Sequence, residues 1–566
     1  MLPQVCNHSG PLNLTDPGGE RKYPVLDRHR GGGPSTFRIE KMCVHSEQQL
    51  TSLLLGGREV ALNARFRVCL LLVLAVTLPS VGRSSYHDYD ALTAALQQVA
   101  ADHPSITRLI SAGPSVEGRE LWWLKITDNP DVEEDEPGFK YIATMHGDEP
   151  VGTENCLRLI DLLTDGYGSD PRLTRLVDEV EIWIMPMMNP DGNARRHRLN
   201  ANQVDLNRDF PDQWRDPVND PEGRQPETRH IMNWQAGHTT VLSANFHTGA
   251  LVVRYPYDHN EPGSSGYSEA PDDDIIRDLA MEYSEDNLPM ITGAFIDGIT
   301  NGAEWSTLSG GMQDWNYVYH GDIQLTIELS DRKRPPANQL DSLWDDNREA
   351  MISYLERALT GVRGVILDQE TGRPVAASLV IPGREMPFYT DPEVGDFHRP
   401  LPAGSYSLVV QADGYLGTTV PFVITDPEAD AVRVDLALVP KPTAIQYNAH
   451  RITEDSGGNG WLDPGENGWI AVELHNGGRL ATGLGGVLRS LTPHGDAPDA
   501  GTWPDLHPAE TGESEPPHFE VLVSPDTPAG HMLSFAVEWE SAEQPGGVTD
   551  AFFVPVSAPV RHEQPA

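Results

Sequence analysis

At 566 residues the chain exceeds what one hydrophobic core holds, because single cores stop growing near roughly 250–300 residues, so it divides into two or three domains. Apolar residues make up 39% and charged residues 22%, a globular rather than a disordered balance, and 41 Lys and Arg against 84 Asp and Glu leave a net charge of −43. A chain so acidic repels phosphate backbones and anionic lipid, which excludes general nucleic-acid or membrane-surface binding. Its four cysteines, Cys6, Cys43, Cys69 and Cys156, form no CxxC pair and exclude a disulfide scaffold.

Residues 1–82 read as a leader. Arg65 and Arg67 precede an apolar run over 68–78, and Pro79, Ser80, Val81 and Gly82 follow it. A basic start, a short apolar centre and small residues suited to cleavage make a secretory signal peptide. The run falls short of the ~18–20 apolar residues of a spanning helix, so no stable membrane anchor is expected and the destination is secreted or periplasmic. With the aperiodic Gly- and Pro-rich stretch ahead of it, a true translation start later than residue 1 is expected.

Beyond Tyr86, helix and strand patterns alternate. Leu92, Leu96 and Val99 predict a helix over 86–101 that Pro104 stops. Strands are predicted at 121–126, 139–145, 180–187, 240–246 and 323–329, and helices around Leu157, Ile160 and Leu163 and at 272–285 and 338–358. The strand at 139–145 is nearly all apolar and belongs at the centre of a sheet. The order predicts an α/β domain over 83–360, with a mixed β-sheet flanked by helices. Short β-type runs at 364–367, 377–381, 406–411 and 432–438, broken by Gly and Pro, predict a small all-β unit over 361–440. A further β-sandwich-like unit spans 441–566.

The strand at 139–145 delivers His146 and, three residues on, Glu149. A catalytic zinc takes about three protein ligands of this type and keeps a position open for water. Alone the spacing is weak: with 20 His a chance copy is expected, and His507-Pro-Ala-Glu510, in a loop-like stretch, is one. His247 ends another strand and supplies a third ligand at the edge where open α/β sheets gather functional groups.

Met145-His-Gly-Asp-Glu149, Asn189-Pro-Asp-Gly192, Val204-Asp-Leu-Asn-Arg-Asp-Phe-Pro211, Ala244-Asn-Phe-His247 and Gly310-Gly-Met-Gln-Asp-Trp-Asn-Tyr317 together resemble the zinc metallocarboxypeptidases, above all the regulatory subfamily of carboxypeptidases D, E, N and M. The resemblance runs in order through residues 86–360. It implies the carboxypeptidase fold and hydrolysis of the last bond of peptide or protein C-termini. It implies that His146, Glu149 and His247 hold one Zn2+, that Glu328 moves the proton, and that Arg198 steadies the oxyanion. Asn207 and Arg208 would grip the terminal carboxylate, and Asp258 with Gln313 would receive a basic C-terminal side chain.

The chain departs from the family at Ser306, where a mobile tyrosine is expected; weaker substrate binding follows rather than lost chemistry. Phe397-His-Arg-Pro-Leu-Pro-Ala-Gly404-Ser-Tyr406 and Asp413-Gly-Tyr415 are similar to the transthyretin-like domain of that subfamily, whose role would be folding support. Asp455-Ser-Gly-Gly-Asn459-Gly460-Trp-Leu-Asp463-Pro-Gly-Glu466 partly follows calcium-loop spacing, which raises Ca2+ as a second metal. Two other readings stay open: a catalytically silent peptide-binding protein, and a carboxypeptidase of non-basic specificity with Asp258 as a turn residue.

Overall fold

The computed structural model describes residues 85–556 apart from 217 and 529; the expected signal segment at 68–78 lies outside them. Among the described residues, no helix is long and apolar enough to cross a membrane.

The first helix, α1 (Tyr89–Asp102), starts on the Asp88 carboxylate, which accepts the Ala91 N–H, and closes at His103 just ahead of Pro104. The sheet has eight strands: β1 (Thr107–Pro114), β2 (Glu120–Ile126), β3 (Gly138–Ala143), β4 (Glu181–Met185), β5 (Leu242–His247), β6 (Ala250–Tyr255), β7 (Ile299–Asn301) and β8 (Ile323–Ser330). They lie in the order β1-β2-β4-β3-β5-β8-β6-β7. The run β4-β3-β5-β8 is parallel, while β1, β2 and β6 pair antiparallel.

Both faces of this sheet are covered, which is why β3, β4 and β5 are buried at every position. Phe139, Tyr141 and Ala143 pack with Leu159 and Ile160 of α2 (Val151–Gly166) and with Tyr354 and Leu355 of α6 (Leu340–Glu356); α4 (Asp273–Glu285) joins that layer. Ile142, Trp183 and Met185 face the other way, onto Ile231 and Met232 of α3 (Pro226–Gln235) and Met312 and Trp315 of α5 (Met312–His320). The charge inside β3, Lys140, is tolerated because its Nζ pairs with Asp322 and donates to Thr240 Oγ1 and Asn316 Oδ1 at 3.0 Å.

The mixed, helix-flanked α/β sheet is as expected. The strands β1, β6 and β7 and the helices α3 and α5 were not anticipated from the pattern. β1 alternates only loosely between exposed and half-buried positions, and β7 is three residues long. In Ala250-Leu-Val-Val-Arg-Tyr255 a charge sits inside an apolar run.

Beyond α6, β9 (Val362–Asp368) pairs antiparallel with Asp396–Arg399 and parallel with the short strands Val432–Arg433 and Leu436–Leu438. A second, antiparallel sheet faces it, built from Arg384–Tyr389, Ser378–Ile381, Gly404–Gln411 and Thr418–Ile424. Leu379 and Phe388 of this sheet and Phe397 of the first are continuous with the α2/α6 layer, and the fully buried Arg399 pairs with Asp272 and donates to Gly321 O at 2.6 Å. Two further five-stranded sheets enclose a separate core around Val472, Trp503, Phe519 and Trp539.

The calcium expectation finds no support. Asp455 spends its carboxylate on the Asn459 N–H at 3.0–3.1 Å, Asn459 Nδ2 donates to Asp463 Oδ2 at 2.8 Å, and Glu466 Oε2 accepts the Asp463 N–H at 3.1 Å. Among the described residues no group of metal-ligating side chains gathers there. Hydrogen bonding within the loop accounts for its Asp, Asn and Gly content.

Candidate active site

The register of the parallel strands fixes the site. Ala143 of β3 lies opposite Phe246 of β5, and His247 lies opposite Glu328 of β8, so all three chains reach the same edge together. Beyond Ala143 the chain turns, and α2 starts at Val151, which sets His146 and Glu149 in the connecting loop above that edge. The close approach is exacting: a Cβ on Gly147 would stand 2.0 Å from Gly192 C.

His146, Glu149 and His247 are buried and converge. The two Nδ1 atoms lie 2.9 Å apart, and Glu149 Oε2 is 3.2 Å from His146 Nδ1 and 3.0 Å from His247 Nδ1. His146 Nε2 lies 3.0 Å from Asp205 Oδ1 and donates to it, which leaves Nδ1 as the lone pair aimed at the cluster. Two imidazole nitrogens and one carboxylate meeting this closely in a buried space are a donor set that fits a zinc ion.

The electrostatics agree. Burial would raise the Glu149 carboxyl, yet the close imidazoles of His146 and His247 hold it far below the usual range. Burial pushes the His247 imidazole down to about 4, and the neighbouring His146 adds to this. His146 itself is raised: burial opposes a charge there, but the Asp205 and Glu149 carboxylates outweigh it. Thr248 N donates to Glu149 Oε2 at 3.1 Å, and Lys333 Nζ reaches Glu149 Oε1 at 2.9 Å.

Glu328 is partly exposed, but its Oε2 is buried with no hydrogen-bond partner. Burial, then the Glu149 charge, push its carboxyl up to about 7. Arg198 lies against the same cluster, with Nη1 3.0 Å from His146 Nδ1 and Nε 3.0 Å from Asp205 Oδ2.

Asn207 and Arg208 occupy the one-turn helix Leu206–Arg208, which Asp205 caps by accepting the Asn207 N–H at 3.0 Å. Asn207 Oδ1 accepts the Met312 N–H at 3.1 Å, which leaves its amide N–H groups for a ligand. Arg208 is exposed and donates to Asn207 O at 2.7 Å. Asp258 is buried after β6; Gln313 Nε2 donates to its Oδ1 at 3.0 Å, and Asp314 accepts its backbone N–H at 2.8–2.9 Å. Ser306 is exposed at the end of the helix Gly302–Ser306.

The structure thus brings the six residues His146, Glu149, His247, Asp205, Arg198 and Glu328 to one strand-end cluster, with Asn207, Arg208, Asp258 and Gln313 on the adjoining loops and α5. The second His-x-x-Glu copy is an exposed turn in which Glu510 Oε2 accepts the His507 N–H at 2.8 Å. Two residues escaped the sequence reading. Asp205 stood inside a quoted motif without a role, yet it orients His146, Arg198 and Asn207 at once. Arg254 stood in an unrecognised strand, yet its Nε is 2.5 Å from Asp258 Oδ1.

The sequence profile of the zinc carboxypeptidase family matches residues 92–350. Carboxypeptidase D of Mus musculus is 41% identical over 375 residues, 62% of this chain and 27% of that protein. Carboxypeptidase M of Mus musculus is 40% identical over 367 residues, 60% of this chain and 82% of its own length. The carboxypeptidase N catalytic chain of Homo sapiens is 36% identical over 429 residues, 68% of this chain and 89% of its own length. The chain therefore spans about a quarter of the carboxypeptidase D relatives and most of the other two. Because the matched span carries the strand-end histidines and Glu149 with their supporting carboxylate, this chain belongs to the zinc carboxypeptidase family, in its regulatory subfamily.

Proposed function

We propose that this protein is a zinc carboxypeptidase that removes the last residue of peptides or proteins, with lysine or arginine preferred. The observation that carries the reading is the convergence of His146 Nδ1, His247 Nδ1 and Glu149 Oε2 beside Glu328, whose buried Oε2 has no partner. Those three side chains would hold a zinc ion, whose chemistry when bound would be to lower the pKa of water and polarise the scissile carbonyl.

The chain's own residues do the rest. Glu328, raised to about 7, takes a proton near neutral pH and passes it to the leaving nitrogen. Arg198 stands where negative charge gathers on the carbonyl oxygen in the transition state. Asn207 offers its amide and Arg208 its planar guanidinium to the terminal carboxylate. Asp258 and Gln313 meet the terminal side chain, and an anionic carboxylate there favours a cationic end. Ser306 cannot close over substrate as a tyrosine would, so substrate binding is weakened rather than the chemistry lost.

Residues 361–440 form a transthyretin-like support, and 441–566 an accessory sandwich of an exported protein. The continuity of Leu379, Phe388 and Phe397 with the α2/α6 layer favours the first of these roles.

Zinc-loaded protein offered matched peptides ending in Lys, Arg, Leu or Glu tests the reading, with released residues measured chromatographically. Release of the basic residues about a hundredfold faster than Leu or Glu is expected, the magnitude of losing one charge-assisted pair. No release from any peptide defeats the enzyme reading, and release of Leu alone defeats the basic pocket.

A further inference from the structure

The acidic wall of the proposed side-chain pocket contains its own guanidinium. Arg254 lies opposite Thr326 in the β6–β8 ladder, as Val252 lies opposite Glu328, so Arg254 projects from the same face of the sheet as Glu328. Its Nε donates to Asp258 Oδ1 at 2.5 Å, its Nη2 donates to Ser306 O at 2.7 Å, and its guanidinium carbon lies 5.6 Å from the Trp305 ring centroid. Arg254 is 7% exposed and Asp258 1%. This is a fixed, buried pair held at both ends.

The pairing divides the two carboxylate oxygens of Asp258. Oδ1 accepts from both Arg254 Nε and Gln313 Nε2, and is fully used. Oδ2 makes no hydrogen bond among the described residues. It lies toward Gly311, where an added Cβ would stand 3.2 Å from it and 3.5 Å from Asn207 Oδ1, so it lies on the side of the residue proposed to grip the terminal carboxylate. Gln313 Oε1, on the same side chain that serves Oδ1, is buried with no partner. What the pocket has left is two acceptors.

Two cationic ends compete for such a wall. Arginine gains its advantage over a carboxylate by laying two parallel N–H groups on both oxygens, and here one oxygen is already taken. Lysine carries a compact ammonium with three rotatable donors and needs no such fork; Oδ2 and Gln313 Oε1 both suit it. We propose that Arg254 is a specificity-determining residue that reserves Asp258 Oδ1 and so sets the pocket for C-terminal lysine over arginine. Arg254 acts through Asp258 and is a positioning residue. The inference rests on the basic-end reading above.

The test is kcat/KM of the zinc-loaded full chain on matched peptides ending in Lys, Arg and Leu, for the native protein and for Arg254→Ser. Native protein should prefer Lys to Arg about tenfold, the worth of one charge-assisted hydrogen bond. Arg254→Ser frees Oδ1 and should invert the order, with Arg overtaking Lys. A merely structural Arg254 would lower both basic substrates together and leave their ratio unmoved, which overturns the proposal. So does a native protein that releases Arg as fast as Lys while both outrun Leu; this comparison decides alone if the variant does not fold. If neither basic end outruns Leu, the basic-end reading itself falls, and the inference with it.

Discussion

Glu328→Gln lowers kcat by about a thousandfold while the protein still binds one zinc, as expected for removing a proton carrier worth 10²–10⁴. The glutamine keeps the shape of the side chain, and Glu328 touches none of the three proposed ligands through a hydrogen bond, so metal content should hold. Its carboxyl is raised by burial and by Glu149, and in the proposed role it works when deprotonated. Activity is therefore lost as pH falls through its folded pKa and recovered as pH rises. Without a metal that pKa stands at about 7, and a nearby zinc charge shifts the midpoint lower. Steady-state kinetics from pH 5 to 9, with zinc measured on the same samples, check both parts. A variant within tenfold of the native rate, or one keeping the native acid limb, removes Glu328 from the proton transfer.

His247→Ala has a comparable effect by another route. Its Nδ1 is 2.9 Å from His146 Nδ1 and 3.0 Å from Glu149 Oε2, and two ligands do not make a zinc site. Zinc content should fall well below one per chain and activity about a thousandfold, with the fold retained by circular dichroism. Asp205→Asn should be milder, costing about 10–100-fold in zinc affinity, because Asp205 acts through the tautomer of His146 rather than on the metal. Chelation of the native protein should abolish activity, and added zinc should restore it. A His247→Ala protein that retains full zinc places the ligand elsewhere.

The two variants also show which parts of the site were legible in the sequence. His146, Glu149 and His247 were readable because each stands at or just past an apolar strand, and the ends of parallel strands share an edge. Glu328 was readable as a carboxylate in an apolar run. Asp205 was not, since orienting an imidazole 59 residues away leaves no local pattern. Arg254 was hidden for a related reason. A charge inside Ala250–Tyr255 breaks the apolar run that marks a strand, and its partner Asp258 lies past the end of that strand. The central strands were legible because burial on both faces forces uniform apolarity, whereas β1 and β7 are half-exposed or short and carry little periodic signal. The loop from Asp455 to Glu466 misled because Gly, Asn and Asp satisfy turns as readily as cations.

The measurement that bears most directly on the account compares one peptide as its free acid and as its C-terminal amide, each ending in lysine, with zinc-loaded protein and products weighed by mass spectrometry. A terminal carboxylate gripped by Asn207 and Arg208 beside the His146, Glu149 and His247 cluster predicts loss of the single terminal lysine from the acid and at least a hundredfold slower loss from the amide, the order of a lost charge-assisted pair. Equal cleavage of both peptides, or cleavage at internal bonds, would contradict it.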